Sequence, residues 1–253
     1  MYAVTAATGH LGRLVLDRLK GDVVAVARDV SRVPSGVEAR HGDYDDPNSL
    51  RAAFAGVDRL LLISSPELDA ARRTAQHRNA IDAAVAAGVT AVVYTSFLDA
   101  DTVATGMTEA HHATEQAIFA GGLAYTILRN PFYGDAFLPQ VADGVIRSST
   151  GGRGLNTAFR EDLAQAAANA LTGEGHLGRA YDLTGPLWTY PQVAEALGIA
   201  YEEVPDAEPG PMAWLNGMVR AGALERQTGD LESLLGRPAE TVVERLTTLR
   251  GIF

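Results

Sequence analysis

The residues best suited to chemistry lie at the start of the chain. Thr5-Ala6-Ala7-Thr8-Gly9-His10-Leu11-Gly12 follows a short apolar run and opens an amphipathic segment. In that strand-to-helix setting, free backbone N–H groups and the helix dipole together receive a phosphate. Gly9 permits close approach of backbone to a pyrophosphate, and Gly12 permits close packing of helix on strand. The spacing G-x-x-G-x-x-G is kept at Gly9 and Gly12, but its first position is Ala6. Alanine is strained there if the turn needs a positive φ, and tolerable if φ is negative.

Arg28 is the second marker. It ends a β-branched run at the position where an acidic residue would bond a ribose 2′-hydroxyl and an arginine accommodates a 2′-phosphate. The expected ligand is therefore NADP(H), with Asp29 next to Arg28 as a mixed signal. Asp43, after the next strand candidate, fits either a contact to the adenine amino group or an ordinary loop aspartate.

Further candidates lie downstream. Tyr133 and His77 could protonate a reduced oxygen or orient an acceptor. Their bland alternatives are a ring packed at a junction of two lobes and a surface histidine at a helix start. Phe97, Phe132, Phe137 and Trp214 could supply a flat apolar pocket or belong to plain core. His111-His112, with Glu109 and Glu115, predicts a solvated helix face rather than a metal site, because adjacent helical residues point in different directions. Ser64-Ser65 and Thr95-Ser96 show no plausible Ser–His–acid arrangement, which argues against hydrolase chemistry.

Those residues are carried by a strand–helix rhythm. Strands are predicted at Tyr2–Ala6, Val23–Ala27, Val37–His41, Arg59–Ser64, Ala91–Ser96 and Ala124–Arg129. Unbroken apolar runs such as Val23–Ala27 suit strands buried on both faces. Helices are predicted at Leu11–Leu19, Asn48–Phe54 (with Asp46 as cap and Pro47 in the first turn) and Asn79–Ala87. Arg160–Leu171 is a further helix, Ala180–Leu183 a strand and Thr241–Leu249 a last helix. The pattern predicts an α/β protein: a Rossmann-type, doubly wound parallel sheet with a small C-terminal substrate lobe. The expected core is 1–130, completed by about 155–185, and the lobe is 131–154 with 186–253.

Bulk properties narrow the classes. The 253 residues carry a net charge of −10, which argues against broad nucleic-acid or anionic-membrane binding. There are no cysteines, so disulfides, thiolate metal sites and thiol nucleophiles are excluded. No basic segment precedes an apolar run at the N-terminus, and no apolar run reaches membrane-spanning length. The expectation is a cytoplasmic protein that needs no metal, with a homodimer as the common oligomeric form.

Together these residues resemble the NmrA-like atypical short-chain dehydrogenase/reductase group, and within it the type 2 NAD(P)H:quinone oxidoreductases and triphenylmethane-dye reductases. The resemblance covers nearly the whole chain. Besides the loop it rests on His41-Gly42-Asp43-Tyr44, Leu61-Leu62-Ile63-Ser64-Ser65, Gln76-His77-Arg78-Asn79, Tyr94-Thr95-Ser96 and Ala113-Thr114-Glu115. Leu128-Arg129-Asn130, Tyr133 and Leu234-Leu235-Gly236-Arg237-Pro238 complete it. It implies an NADP(H) fold that transfers hydride to a quinone or similar conjugated aromatic acceptor. It places Ala6, Thr8, Gly9, His10 and Leu11 at the pyrophosphate and Arg28 at the 2′-phosphate. Ser64, Ser65 and Thr95 would lie near the cofactor, with Asn130, Pro131, Phe132 and Tyr133 beside nicotinamide and substrate. The chain departs from its relatives at Gln116, where quinone-reductase relatives carry lysine; its only lysine is Lys20. Two alternatives remain: a reductase of another acceptor, such as a dye or enone, and a non-catalytic NADP(H) sensor acting through a protein partner.

Overall fold

The computed structural model describes residues 1–250. In chain order they form β1 (Tyr2–Val4), α1 (His10–Leu16), β2 (Val23–Ala27), β3 (Glu38–His41), α2 (Pro47–Ala53), β4 (Arg59–Leu62), α3 (Ala70–Ala87), β5 (Ala91–Phe97), α4 (Glu109–Ala120) and β6 (Ala124–Asn130). There follow β7 (Val141–Ala142), β8 (Val145–Ser148), α5 (Arg160–Thr172), β9 (Arg179–Asp182), α6 (Tyr190–Leu197), β10 (Ala200–Glu203), α7 (Pro211–Arg220), α8 (Asp230–Leu235) and α9 (Val242–Arg250). They divide into two units. The first holds Met1–Asn130 and Leu163–Leu183; the second holds Pro131–Asp162 and the chain from Thr184 onward.

The first unit is built on a seven-stranded sheet of order β3-β2-β1-β4-β5-β6-β9. Every pairing in it is parallel. The chain winds outward from β1 in one direction and from β4 in the other, so all carboxyl ends share one edge and a crevice opens at the reversal. Val24–Ala27 and Leu60–Leu62 are buried along their whole length, as strands covered on both faces must be. Phe54, Leu60, Leu62, Ile81, Tyr94, Ile118 and Ile127 fill the core on the side of α2, α3 and α4. Asp46 caps α2 by accepting from the Asn48 and Ser49 N–H groups, and Pro47 occupies its first turn.

Three of the boundaries that differ from expectation have a visible cause. β1 stops at Val4 rather than Ala6, because Ala6 turns into the left-handed region at φ +48°. α1 ends at Leu16, not Leu19; the Arg18 and Leu19 N–H groups turn back to the carbonyls of Val15 and Leu16 in tighter, three-residue bonds. α3 begins at Ala70, nine residues before the predicted Asn79, with Asp69 accepting from the Arg72 N–H at its start. Gln76 and His77 belong to its buried stripe, and polar residues there hide the apolar period on which the prediction relied.

The second unit contains a three-stranded sheet, β10-β8-β7, with β8 parallel to β10 and antiparallel to β7. These strands are short and mostly exposed on one face, so they carry no period strong enough to read in advance. Phe137, Leu155, Phe159, Trp188, Val219 and Leu224 form its core. Thr189 and Gln192 close a capping box at the start of α6. No helix among the described residues is long and apolar enough to cross a membrane.

Candidate dinucleotide site

The β1–α1 loop is pinned from both sides. Thr5 Oγ1 donates to the Leu61 carbonyl (3.1 Å) and accepts from the Ile63 N–H (2.9 Å). The Ala7 N–H donates to the Val26 carbonyl, and the Gly9 N–H to the Ala6 carbonyl. A Cβ added at Gly12 would stand 2.4 Å from the Ala6 carbonyl oxygen and 2.9 Å from Ala7 Cα. Both neighbours are backbone, so only glycine allows this packing. Ala6 holds its φ of +48° without being glycine, a conformation that costs an L-residue about 1–2 kcal/mol. Gly9 and His10 are exposed at the mouth of α1, where the first N–H groups have no acceptor within the helix. Thr8 is half-buried beside them and Leu11 is buried.

Arg28 follows β2 on the same edge and is exposed. Its carbonyl accepts from or is contacted by His41 Nδ1 at 3.0 Å; its guanidinium makes no hydrogen bond or ion pair among the described residues. Asp29 is turned to its own loop, where its carboxylate accepts from the Ser31 N–H and hydroxyl, and these bonds hold its pKa below the usual range. The neighbouring acid is thus engaged and the arginine is not. Asp43 is half-buried and accepts from the Asp45 N–H.

At the carboxyl ends of β4 and β5 the material is different. The Ser64 N–H donates to Thr95 Oγ1 (3.0 Å), and the Ser65 hydroxyl donates to Gln76 Oε1 (2.5 Å). The Ser65 N–H donates to His77 Nε2 at 2.9 Å, which makes that nitrogen the unprotonated one. His77 Nδ1–H then points at Thr114 Oγ1, 2.9 Å away, whose hydroxyl donates to the Ala110 carbonyl. The hydrogen bonds fix a single neutral tautomer. Burial, reinforced by His111 and Arg73, pushes the His77 pKa down to about 3. Gln76 Nε2 donates to both carboxylate oxygens of Asp45, and Asn79 Nδ2 to the Tyr44 carbonyl. The Gln76–Asn79 motif therefore ties α3 to the loops after β3 and β4.

Two expectations are corrected here. His77 is not a surface histidine at a helix start: it lies inside α3 and is fully buried. With Nε2 occupied by a backbone N–H, it is built to position the Ser64-Ser65 loop rather than to donate a proton. His111 does not lie on a solvated helix face. It is buried, with Nδ1 2.9 Å from the Tyr94 hydroxyl, and burial followed by Arg73 brings its pKa to about 3. His112 is half-buried against the Ala100 carbonyl. No group of three or more metal-ligating side chains is assembled among the described residues.

Glu115 and Arg129 form a second buried polar group, so the solvated helix face expected for Glu115 is not found, as for His111. Arg129 donates from Nε and Nη2 to the two oxygens of Glu115 (3.0 and 2.8 Å), and the Ser96 hydroxyl donates to the same carboxylate at 2.6 Å. Asp101 and Asp182 lie 3.2 and 3.5 Å from the outer guanidinium nitrogen. Gln116, at the position of the missing lysine, is exposed. Phe97 is half-buried against the His111 ring, and Asn130 is buried at the end of β6, its carbonyl accepting from the Leu98 N–H.

The remaining candidates belong to the second unit. Pro131 is buried, and Phe132 is half-buried with its ring 5.9 Å from that of Phe137. Phe137 is core. Tyr133 is half-buried beneath the Arg160 guanidinium, 4.3 Å from its ring centre. Trp214, on α7, is 53% exposed.

The atoms of the first unit fit a dinucleotide: a loop whose backbone closes to a Cβ at Gly12, helix-start N–H groups, and an unengaged arginine one strand away. Known proteins agree. The chain is 33% identical, over its full length and 99% of the relative, to quinone oxidoreductase 2 of Escherichia coli. It superposes with a TM-score of 0.87 on the triphenylmethane reductase of Citrobacter sp. complexed with NADP(H), at 32% identity over 97% of this chain and 99% of that one. An NADPH-dependent quinone oxidoreductase of Escherichia coli, complexed with NADPH, gives a TM-score of 0.85 at 31% identity, over 99% and 100% of the two chains. Residues 6–174 match the NAD(P)H-binding family, and the chain belongs to that family as an NAD(P)H-dependent oxidoreductase.

Proposed function

We propose that the protein uses NADPH to reduce a quinone or a similar conjugated aromatic acceptor. The observation that carries the choice of NADPH is Arg28, a guanidinium with no hydrogen bond or ion pair among the described residues, directly after the strand next to the phosphate loop. A 2′-phosphate is the ligand whose charge and planar geometry such a group matches. The acceptor class rests on the relatives, whose names specify quinones and triphenylmethane dyes. Full-length similarity to reductases favours catalysis over the sensor alternative, and similarity to the dye reductase keeps cationic dyes as a second acceptor class.

In this reading the Gly9, His10 and Leu11 backbone, with Ala6 and Thr8 shaping the turn, binds the pyrophosphate, and Arg28 holds the 2′-phosphate. Asp43 faces the adenine. Ser64, Ser65 and Thr95 line the floor at the ends of β4 and β5. The bound cofactor supplies a hydride; the residues supply position and exclusion of water, which such a transfer chiefly requires. A cytoplasmic setting goes with this use of NADPH.

Titration of the purified protein with NADPH and with NADH, followed by addition of menadione, tests the proposal. Tighter binding of NADPH and acceptor-dependent loss of its absorbance are expected. Binding without turnover of any quinone or dye would return the sensor reading, and equal affinity for the two cofactors would remove the role given to Arg28.

A further inference from the structure

The turn after β3 makes bonds that reach both the phosphate loop and the floor. The Asp46 N–H donates to the Asp43 carbonyl at 2.9 Å, and the Asp45 N–H to the Asp43 carboxylate at 3.0 Å. Between these two bonds, Tyr44 and Asp45 reach different neighbours. The Tyr44 hydroxyl lies 2.6 Å from Thr5 Oγ1 and 2.5 Å from the Ile63 carbonyl. Its one proton serves one or the other, and Thr5 is the residue that pins the phosphate loop to β4. The Tyr44 ring meets that of His77 edge-on, with centroids 6.2 Å apart. The Asp45 carboxylate accepts from Gln76 Nε2 at 3.1 and 3.0 Å and from Arg72 Nη2 at 3.1 Å. Gln76 Oε1 in turn accepts from the Ser65 hydroxyl at 2.5 Å. Side-chain contacts thus run from the turn to Thr5 in one step and to Ser65 in two. The Asp45 side chain is 46% exposed, and polar pairs of that exposure add little to stability. Its place in the chain of bonds is therefore better explained by what it connects.

We infer that this turn couples the two halves of the cofactor site, with Tyr44 acting through Thr5 and Asp45 acting through Gln76 as positioning residues for the phosphate loop and the Ser65 loop. The inference rests on the function proposed above, in which Asp43 faces the adenine and Ser65 lines the floor. Adenosine is remote from the carbon that gives up hydride. Contacts to it raise the rate only where their binding energy improves the placement of the reacting half. The turn offers such a route. A filled adenosine site restricts Asp43, and the bonds of Tyr44 and Asp45 pass that restriction to both loops. By linkage, a filled nicotinamide half then favours adenosine binding to the same degree.

A cofactor cut in two measures the coupling directly. Reduced nicotinamide mononucleotide serves as hydride donor to menadione, and adenosine 2′-monophosphate is added as the other half. That nucleotide has no 5′-phosphate, so it leaves the phosphate loop to the mononucleotide and its effect must pass through the protein. In unmodified protein, saturating adenosine 2′-monophosphate should raise turnover of the mononucleotide by about fivefold or more. Asp45→Ala should reduce that activation to below about twofold at saturation of the same nucleotide. A merely structural carboxylate would change the two rates together and leave their ratio alone. Tyr44→Phe keeps the ring against His77 and removes only the hydroxyl; it should also lower the activation, by about twofold or more, and guards against a folding defect in the first variant. Full activation in either variant would overturn the path through that residue. No activation in unmodified protein that oxidises NADPH with menadione would overturn the coupling while leaving the proposed function intact. Failure of the unmodified protein to oxidise NADPH with any acceptor would overturn the proposed function and the inference with it.

Discussion

At the β1–α1 loop, the proposed recognition depends on backbone: a turn at Ala6, a packing contact at Gly12 and helix-start N–H groups. At the ends of β4 and β5 it depends on side chains, where Ser65, Gln76, His77, Tyr94, His111 and Thr114 bond one another out of water. The first region tolerates almost any side chain that leaves the backbone path open. The second tolerates few, since each buried polar group left without its partner costs about 1–3 kcal/mol. One edge of one sheet thus combines a sequence-tolerant candidate anion cradle with a sequence-demanding floor.

The difference can be broken at several points. Glu115→Gln should have the largest effect, because it leaves Arg129 buried without its bidentate partner. A loss of about 3 kcal/mol is expected, at the low end of the range for such pairs because Asp101 and Asp182 remain close. Urea denaturation measures it, and a loss well under that size would mean solvent reaches the pair. Gly12→Ala attacks the other region. A Cβ against two backbone atoms forces the loop open at a cost of about 1–3 kcal/mol in stability, and NADPH affinity should fall with the displaced loop. Unchanged affinity would show that the loop is not the phosphate cradle.

Arg28→Ala should weaken NADPH binding by about tenfold or more while leaving NADH binding unaltered; parallel losses would move the 2′-phosphate elsewhere. The floor should also be the acid-sensitive region. His77 and His111 have folded pKa values near 3, well below that of the unfolded chain. Their contribution is therefore complete above about pH 6.5 and is lost as pH falls from there toward 3, at no more than about tenfold in the folding equilibrium per pH unit for each histidine. Tm measured across that window should decline, and His111→Asn should flatten the decline. Ala6→Gly is the smallest effect. Relief of the left-handed alanine should stabilise the protein by about 1 kcal/mol or less, after the added freedom of glycine in the unfolded chain is subtracted. An unchanged or lower Tm would show the turn to be unstrained.

The sheet was legible because its strands are short unbroken apolar runs and its turns carry glycine. The seven strands of the first unit all fall on predicted runs, within two residues at each end. α3 was half legible, since the buried residues of its first half are polar. The strands of the second unit were not legible at all, being two to four residues long and largely exposed. Among candidate site residues, the phosphate loop and Arg28 could be named from spacing alone, Gln76, Tyr94 and Thr114 could be quoted only as parts of a resemblance, and Glu115 was expected on a solvated face.

Local order along the chain determined the doubly wound sheet, the loop at its first turn and the identity of the residue that breaks its glycine pattern, because these depend on neighbours a few positions apart. What only the tertiary structure decided is the environment of the polar residues. The sign of φ at Ala6, the burial of His77 and His111, the tautomer fixed by the Ser65 N–H and the placement of Tyr94 beside His111 all arise from segments 12 to 58 positions apart in the chain. Charge state, donor direction and solvent access are properties of those assembled surroundings, and no single stretch of sequence contains them.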